Sequence, residues 1–347
     1  MNDMTALYLG LLIFSFLVTS ILVVPFINLL YRMKFLRKIQ QTKDAEGNRT
    51  KIFDKFHNVK AGTPVGGGFL VIAVTFLLYL VLFPLLSFLG IYITTAYKIS
   101  DELNILFFTF ISFGFLGLYD DIKKFFGFEK SGFFGLRMRH KFLIQWILAL
   151  IISLLMYFNL KIDIINFPFF GILRLGPLFV PFAAFVIVSF ANAFNITDGL
   201  DGLASGLLLI FLFAFWLLSS SVLDTPLSVF IAVWIGALAA FLYFNVFPAR
   251  IFLGDVGALS FGATMAVVGL LIGKTVALLV IGGIFIVEAA SSLIQILSKK
   301  ILKKKVFAVA PFHLWFQHKG WEEPKIVMRA WLAGIMLAIL GLWLAYI

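Results

Sequence analysis

The chain has 347 residues, of which 62% are hydrophobic and 43 are Phe, and it carries a formal net charge of +11. That much apolar surface excludes a water-soluble globular domain and leaves an integral membrane protein. With no Cys, a disulfide framework, a thiolate nucleophile and a zinc–cysteine centre are excluded, and the four His are too scattered to announce a metal site.

A bilayer core needs about 20 apolar residues of helix. In chain order, ten runs are predicted to span: 6–30, 67–90, 103–119, 142–160, 177–194, 203–222, 227–247, 257–272, 274–297 and 326–346. The first reads as a retained helix rather than a cleaved leader, because 1–5 holds Asp3 and no basic residue. Between the eighth and ninth runs only Gly273 and Lys274 intervene. The runs far exceed the ~10 residues of a barrel strand and do not alternate. The expected fold is therefore an all-α polytopic membrane protein, a single transmembrane domain over 1–347. Two cytoplasmic loops interrupt it: 31–66, with a charged insertion around 41–56, and the basic 298–325.

Basic residues set the orientation. Arg32 to Lys60, Lys123 to Lys141, Arg250, and Lys299 to Lys325 fall in connections on one side; Lys98, Lys161, Arg174 and Lys274 fall on the other. The first side is predicted to be cytoplasmic, with both termini outside. The sequons at Asn195 and Asn48 then lie in the cytoplasm and are discounted. No internal repeat is evident, which weakens a transporter built on inverted halves.

Five carboxylates sit at the cytoplasmic ends of these runs. Acids near hydrocarbon cost about 2.5–3.5 kcal/mol each, so they are usually functional and partnered. Asp120 and Asp121 close the third run; as a pair they suit Mg²⁺ or a general base, or else form a solvated helix end balanced by Lys123 and Lys124. Asn195, Asp198 and Asp201, spaced at three, converge whether the segment is helix or turn; the alternative is an ordinary Asx-rich turn. Asp255 stands between Gly254 and Gly257, where a helix start offers N–H groups to a phosphate; the alternative is a plain helix cap. Asn245 is near enough to reach the same region.

Lys60 precedes the glycine-rich entry to the second run, KAGTPVGGG, where a cation beside exposed N–H groups would suit a diphosphate. Glu288 lies inside the ninth run with Ser291 and Gln295 on its helical face, and needs a partner or a wet groove. The segment 311–321 mixes aromatics with His313, His318 and Lys319. It suits either stacking of a nucleobase or an amphipathic helix on the bilayer.

Taken in order, KAGTPVGGG, LYDD with Lys124, GLRMRHKFLIQ, NAFNITDGLDGLA, FNVFPARIFLGDVGA, VEAASSLIQ and HKGWEEPK resemble the signatures of the polyprenyl-phosphate N-acetylhexosamine-1-phosphate transferases. Within them the MraY branch, the phospho-N-acetylmuramoyl-pentapeptide transferases, is the nearest in pattern. The resemblance runs from about Lys60 to the C-terminus. It implies ten helices in a bacterial inner membrane, Mg²⁺ as cofactor, and transfer of phospho-MurNAc-pentapeptide from a UDP-linked amino-sugar donor to undecaprenyl phosphate, giving lipid I and UMP. Carried over by motif, Asp255 would ligate Mg²⁺ with support from Asp121. Asp120 would be the base or acceptor contact. Asn195, Asp198, Asp201 and Asn245 would organise uridine and diphosphate. Lys60 and Lys124 would lie near the phosphates, Glu288 beside the prenyl chain, and His313 at the donor. The lipid bilayer is the expected environment, a homodimer is implied, and no nucleic-acid partner is expected.

Two departures stand out. The family's three consecutive His followed by Phe-Glu are here His313-Leu314-Trp315-Phe316-Gln317, and the Ser after GDVG is Ala258. They leave open a transferase for another sugar such as UDP-GlcNAc. A transporter with acids as ion sites, or an inactive paralogue, are the non-enzyme alternatives.

Overall fold

The computed structural model describes residues 2–37, 60–126 and 138–347. The charged insertion expected around 41–56, the sequon at 48–50 and positions 135–137 of the basic motif lie outside the described residues. Twelve helices are labelled here in chain order: α1 (Asn2–Arg32), α2 (Gly67–Phe88), α3 (Ile99–Phe126), α4 (Met138–Asn159), α5 (Phe179–Thr197), α6 (Leu203–Ser221), α7 (Thr225–Asn245), α8 (Gly254–Leu271), α9 (Thr275–Ile281), α10 (Gly283–Leu302), α11 (Phe312–His318) and α12 (Glu323–Tyr346). Among the described residues nine helices are long and apolar enough to cross a membrane: α1 to α8 and α12.

The expected ninth run is not one straight helix. It is broken into α9 and α10, which meet at an angle of 72°. The break falls at Gly282-Gly283, where the chain is pressed against α5. A Cβ on Gly282 would lie 2.6 Å from the Phe190 ring, so the corner exists only because no side chain fills it. Beyond it, α10 is two-faced. Glu288, Ser291, Gln295 and Ser298 are buried, while Leu293, Ile294, Ile296 and Leu297 face outward.

One element escapes the all-α expectation. Strands β1 (Ile164–Phe167) and β2 (Gly171–Arg174) pair antiparallel, Ile164 opposite Arg174 and Phe167 opposite Gly171. Four-residue strands are too short to show alternation, and the FPFF run between them carries no hairpin dipeptide.

The architecture is a bundle around two central helices. α7 and α8 are apolar on every side and almost wholly buried, as expected of helices enclosed by others. α1 lies along α7 and α3 lies along α8, with α2 and α5 closing the ring. Small residues let backbones approach where no water drives association: a Cβ on Gly236 of α7 would sit 2.2 Å from the Leu12 carbonyl oxygen of α1. Between them the Phe110, Phe230, Trp234 and Phe261 rings interlock at centroid separations of 5.1 to 5.8 Å, the edge-to-face and offset arrangements that aromatic quadrupoles favour.

Candidate active site

The site begins with two helix crossings. At Gly117 of α3 a Cβ would fall 2.1 Å from the Asp255 carbonyl oxygen, and at Gly68 of α2 one would fall 2.3 Å from Gly257 Cα. α8 is therefore held backbone-to-backbone against α2 and α3, and its first turn is delivered one helical turn from Asp120 and Asp121. The Asp121 carboxylate seals the junction: its Oδ2 accepts from the Val256 N–H at 3.1 Å, where the positive end of the helix dipole favours an anion.

Around this junction five charged side chains converge. Lys124 Nζ lies 2.8 Å from Asp255 Oδ2, 3.2 Å from Asp120 Oδ2 and 3.8 Å from Asp121 Oδ1. Lys141, on the first turn of α4, donates to Asp120 Oδ2 at 2.9 Å and also to Asp255 Oδ2. Asn195 Nδ2 of α5 donates to Asp255 Oδ1 at 3.2 Å. One turn after Lys141, Gln145 Oε1 accepts from Asn192 Nδ2 at 2.7 Å, which fixes α4 against α5. Asp255 is thus the hub, with neighbours on α3, α4 and α5. The centre holds three carboxylates against two ammonium groups.

A second cluster sits beside it. Lys60 Nζ pairs with Asp201 Oδ1 at 2.6 Å and Glu323 Oε1 at 2.5 Å. Glu323 Oε1 also accepts the Asp201 N–H at 2.6 Å, and Asp201 Oδ2 accepts the Ala249 N–H at 2.9 Å. Asp198, at the C-terminal cap of α5, lies between the two clusters. Burial pushes its carboxyl up to about 7, helped by Asp255 and Asp201 and opposed by Arg37 and Lys60. Desolvation likewise lowers the Arg37 guanidinium, against the pull of Asp198, Asp201 and Glu323.

The glycine-rich entry does not present its N–H groups to a ligand. Gly66 and Gly67 donate to the Phe252 carbonyl at 3.1 and 2.9 Å, Gly68 donates to Leu253 at 2.9 Å, and Phe252 donates back to Pro64 at 2.8 Å. The segment is a splice that ties the start of α2 to the loop before α8 and so carries Lys60 to Asp201. The first turn of α8 is used similarly, since Val256 N–H is taken by Asp121. Asn245 is also interior: Ser205 Oγ donates to its Oδ1, and its Nδ2 donates to the Ile251 carbonyl at 2.9 Å. It braces the 246–253 loop.

A third group completes the site. Glu288 of α10 accepts the His313 backbone N–H at 3.2 and 3.3 Å and meets His313 Nδ1 at 3.0 Å. A carboxylate partner puts the ring hydrogen on Nδ1, which leaves Nε2 facing the turn after α5. There a Cβ on Gly199 would come within 2.4 Å of Nε2. Gln295 grips the Phe307 backbone in both directions, at 2.7 and 2.9 Å, so α10 positions the loop that carries His313.

The chain was compared with known proteins. The model of glycosyl transferase family 4 matches residues 103–273, which include Asp120, Asp121, Lys124, Lys141, Asn195, Asp198, Asp201 and Asp255. Among curated proteins, the chain is 35% identical to a phospho-N-acetylmuramoyl-pentapeptide-transferase of Staphylococcus haemolyticus over 339 residues, 96% of this chain and 98% of that protein. Similar matches come from proteins of the same name in Thermodesulfovibrio yellowstonii, 34% identical over 94% of this chain and 90% of the relative, and Caldanaerobacter subterraneus, 36% identical over 90% of each. The chain belongs to the phospho-N-acetylmuramoyl-pentapeptide-transferase family.

Within that family frame, the structure brings Asp120, Asp121, Asp255, Lys124 and Asn195 into one centre, with Lys60, Asp198 and Asp201 in the adjoining cluster and Glu288 with His313 at its edge. Sequence reasoning missed Lys141, Arg37 and Glu323. Lys141 was hidden in a basic stretch whose positive charge already had a topological explanation. The signal available for it was its register: Lys141 and Gln145 share a face of α4 opposite two Asn of α5. Among the described residues, no three acidic or His side chains form a cage that could hold an ion unaided.

Proposed function

We propose that this chain transfers phospho-MurNAc-pentapeptide from its UDP-linked donor to undecaprenyl phosphate at the cytoplasmic face of a bacterial inner membrane, with both termini on the far side. The observation that carries the reading is the Asp120–Asp255–Lys124–Lys141 centre, lodged at one end of a membrane bundle in a chain similar over nearly its whole length to enzymes of that name.

The donor set fits Mg²⁺, which typically takes one or two carboxylates and completes its shell with waters and substrate phosphates; Asp255, with Asp121 beside it, would hold it. When bound it would neutralise charge on the donor diphosphate. The chain's own residues account for the remaining work. Lys124 and Lys141, paired with carboxylates at rest, exchange those partners for phosphate oxygens when the anionic substrates arrive. Asn195 keeps Asp255 oriented through its Oδ1. Asp120 takes the residual proton of the acceptor phosphate as the phosphate oxygen attacks the sugar-linked phosphorus in line and UMP departs. Positioning and charge stabilisation supply most of the rate in such transfers. His313, held by Glu288, sets its Nε2 against the Asp198–Asp201 turn and so orients that turn for the donor.

One observation favours a second donor. Where the family pattern has two further His, Leu314 is buried and Trp315 is capped by Lys319 Nζ at 3.8 Å from its ring centroid. Two polar partners for the donor are thereby absent, which suits a donor that needs fewer contacts, such as UDP-GlcNAc. Purified protein supplied with undecaprenyl phosphate and either UDP-MurNAc-pentapeptide or UDP-GlcNAc separates the two. UMP release with the first donor alone is expected. Release only with UDP-GlcNAc moves the assignment to another branch, and release with neither removes the enzyme reading.

A further inference from the structure

The β1–β2 hairpin connects α4 to α5 at the end of the bundle opposite the carboxylates. Between Asp163 and Arg174 its residues carry no charge: Ile164-Ile165-Asn166-Phe167-Pro168-Phe169-Phe170-Gly171-Ile172-Leu173. The charged pair closes its base, with Arg174 Nε 3.2 Å from Asp163 Oδ2. Only one side of it packs on protein: Ile165 is buried and β1 lies along α9. The tip does the reverse. Phe170 is 91% exposed, Phe169 69% and Ile172 67%. Phe169 also holds a left-handed backbone, φ 68°, a conformation that bulky L-residues rarely adopt.

A water-facing loop would gain nothing from that arrangement. The hairpin packs on α9, and the Phe169 ring comes to 6.2 Å from Trp343. Trp343 stands in the last turns of α12, a membrane-spanning helix, and faces outward with Leu340 and Tyr346. Trp and Tyr at the ends of spans mark the level of the lipid headgroups. The hairpin tip is therefore continuous with the lipid-facing belt of α12 and sits at its rim.

We infer that the hairpin is a membrane-interface anchor, with Phe169 and Phe170 seated in the leaflet opposite the carboxylate site. The occupant of its apolar face is phospholipid: the acyl-chain boundary covers the rings, and the Asp163–Arg174 base stays at headgroup level. The anchor pins α9 and α12 together from outside, at the Lys274–Ala277 end of α9. This assignment is independent of the reaction proposed above.

The chain has no Cys, so single-cysteine variants can be labelled without removing native thiols. Phe170→Cys carries an environment-sensitive fluorophore in phosphatidylethanolamine–phosphatidylglycerol vesicles. Lys98→Cys, 76% exposed at the same end of the molecule, serves as the water-facing control. The expected result is a blue-shifted Phe170→Cys probe, quenched by nitroxides placed near the lipid headgroup and protected from aqueous iodide, while Lys98→Cys shows the opposite pattern. Iodide quenching of both positions alike overturns the anchor. So does protection of the Phe170 position from both quenchers, the signature of a covering protein. A Phe169→Cys probe gives an independent second reading of the same tip.

Discussion

The two ends of the bundle both bury acids, and they treat them in opposite ways. At one end Asp120, Asp121 and Asp255 share Lys124 and Lys141, two long cations that can swing to another anion. At the other end, Asp224 caps α7 by accepting the Leu227 N–H at 3.2 Å, and burial raises its carboxyl. Its neighbour Glu102 is fully buried beside it, and among the described residues no cation pairs with either acid. One arrangement is a reservoir of exchangeable charge and the other is a fixed polar joint. Burial alone therefore does not distinguish the two ends; a cation beside the acid does.

The sharpest way to break that contrast is Asp255→Asn. Removing the hub charge should lower turnover by about a thousandfold, with the protein still inserted and folded by thermal shift; near-normal UMP release would disqualify the centre. Lys60→Met should leave Asp201 and Glu323 without their cation and destabilise the protein by about 3 kcal/mol, read as a lower unfolding midpoint in detergent. Gly117→Val forces α3 off α8 and should cost about 1–3 kcal/mol, together with most activity, because Asp120 and Asp255 separate. An active, stable Gly117→Val enzyme would show that the close crossing is incidental. Glu288→Gln weakens the hold on His313 by about 1.5–3 kcal/mol; KM for the donor should rise while the KM for undecaprenyl phosphate stays put. Smallest of all, Glu102→Gln should change stability by less than about 0.5 kcal/mol, with activity intact, because the amide keeps the size and shape of the carboxyl and adds no charge that burial would penalise. Large loss of turnover there would erase the distinction between the two ends.

Much of this was legible in the sequence because hydropathy and acid placement are local signals. The nine helices coincide with nine predicted runs, and Asp120, Asp255 and Asn195 could be singled out by their positions at run ends. What sequence could not supply was partnership. Lys124 and Lys141 are 17 positions apart and meet at Asp255 only because α3 packs on α8 while α4 packs on α3 and α5. The Lys60 segment looked like a phosphate loop, yet its N–H groups bond the Phe252 and Leu253 carbonyls; which acceptor a glycine N–H finds is a tertiary fact. The corner at Gly282 was invisible for a related reason. Gly-Gly permits a bend, but the Phe190 ring lying against it is what makes the site compact enough to need one.

The glycine crossings have a wider consequence. Bilayers of unequal thickness tilt the helices on the rim of a protein to match their apolar length. Here α2, α3 and α8 meet with no side chain between them at Gly68, Gly117 and Gly257, so there is no compressible layer through which such tilting could reach the acids. The outer helices can accommodate a change of lipid while the spacing of Asp121 and Asp255 stays set by the van der Waals radii of the main chain.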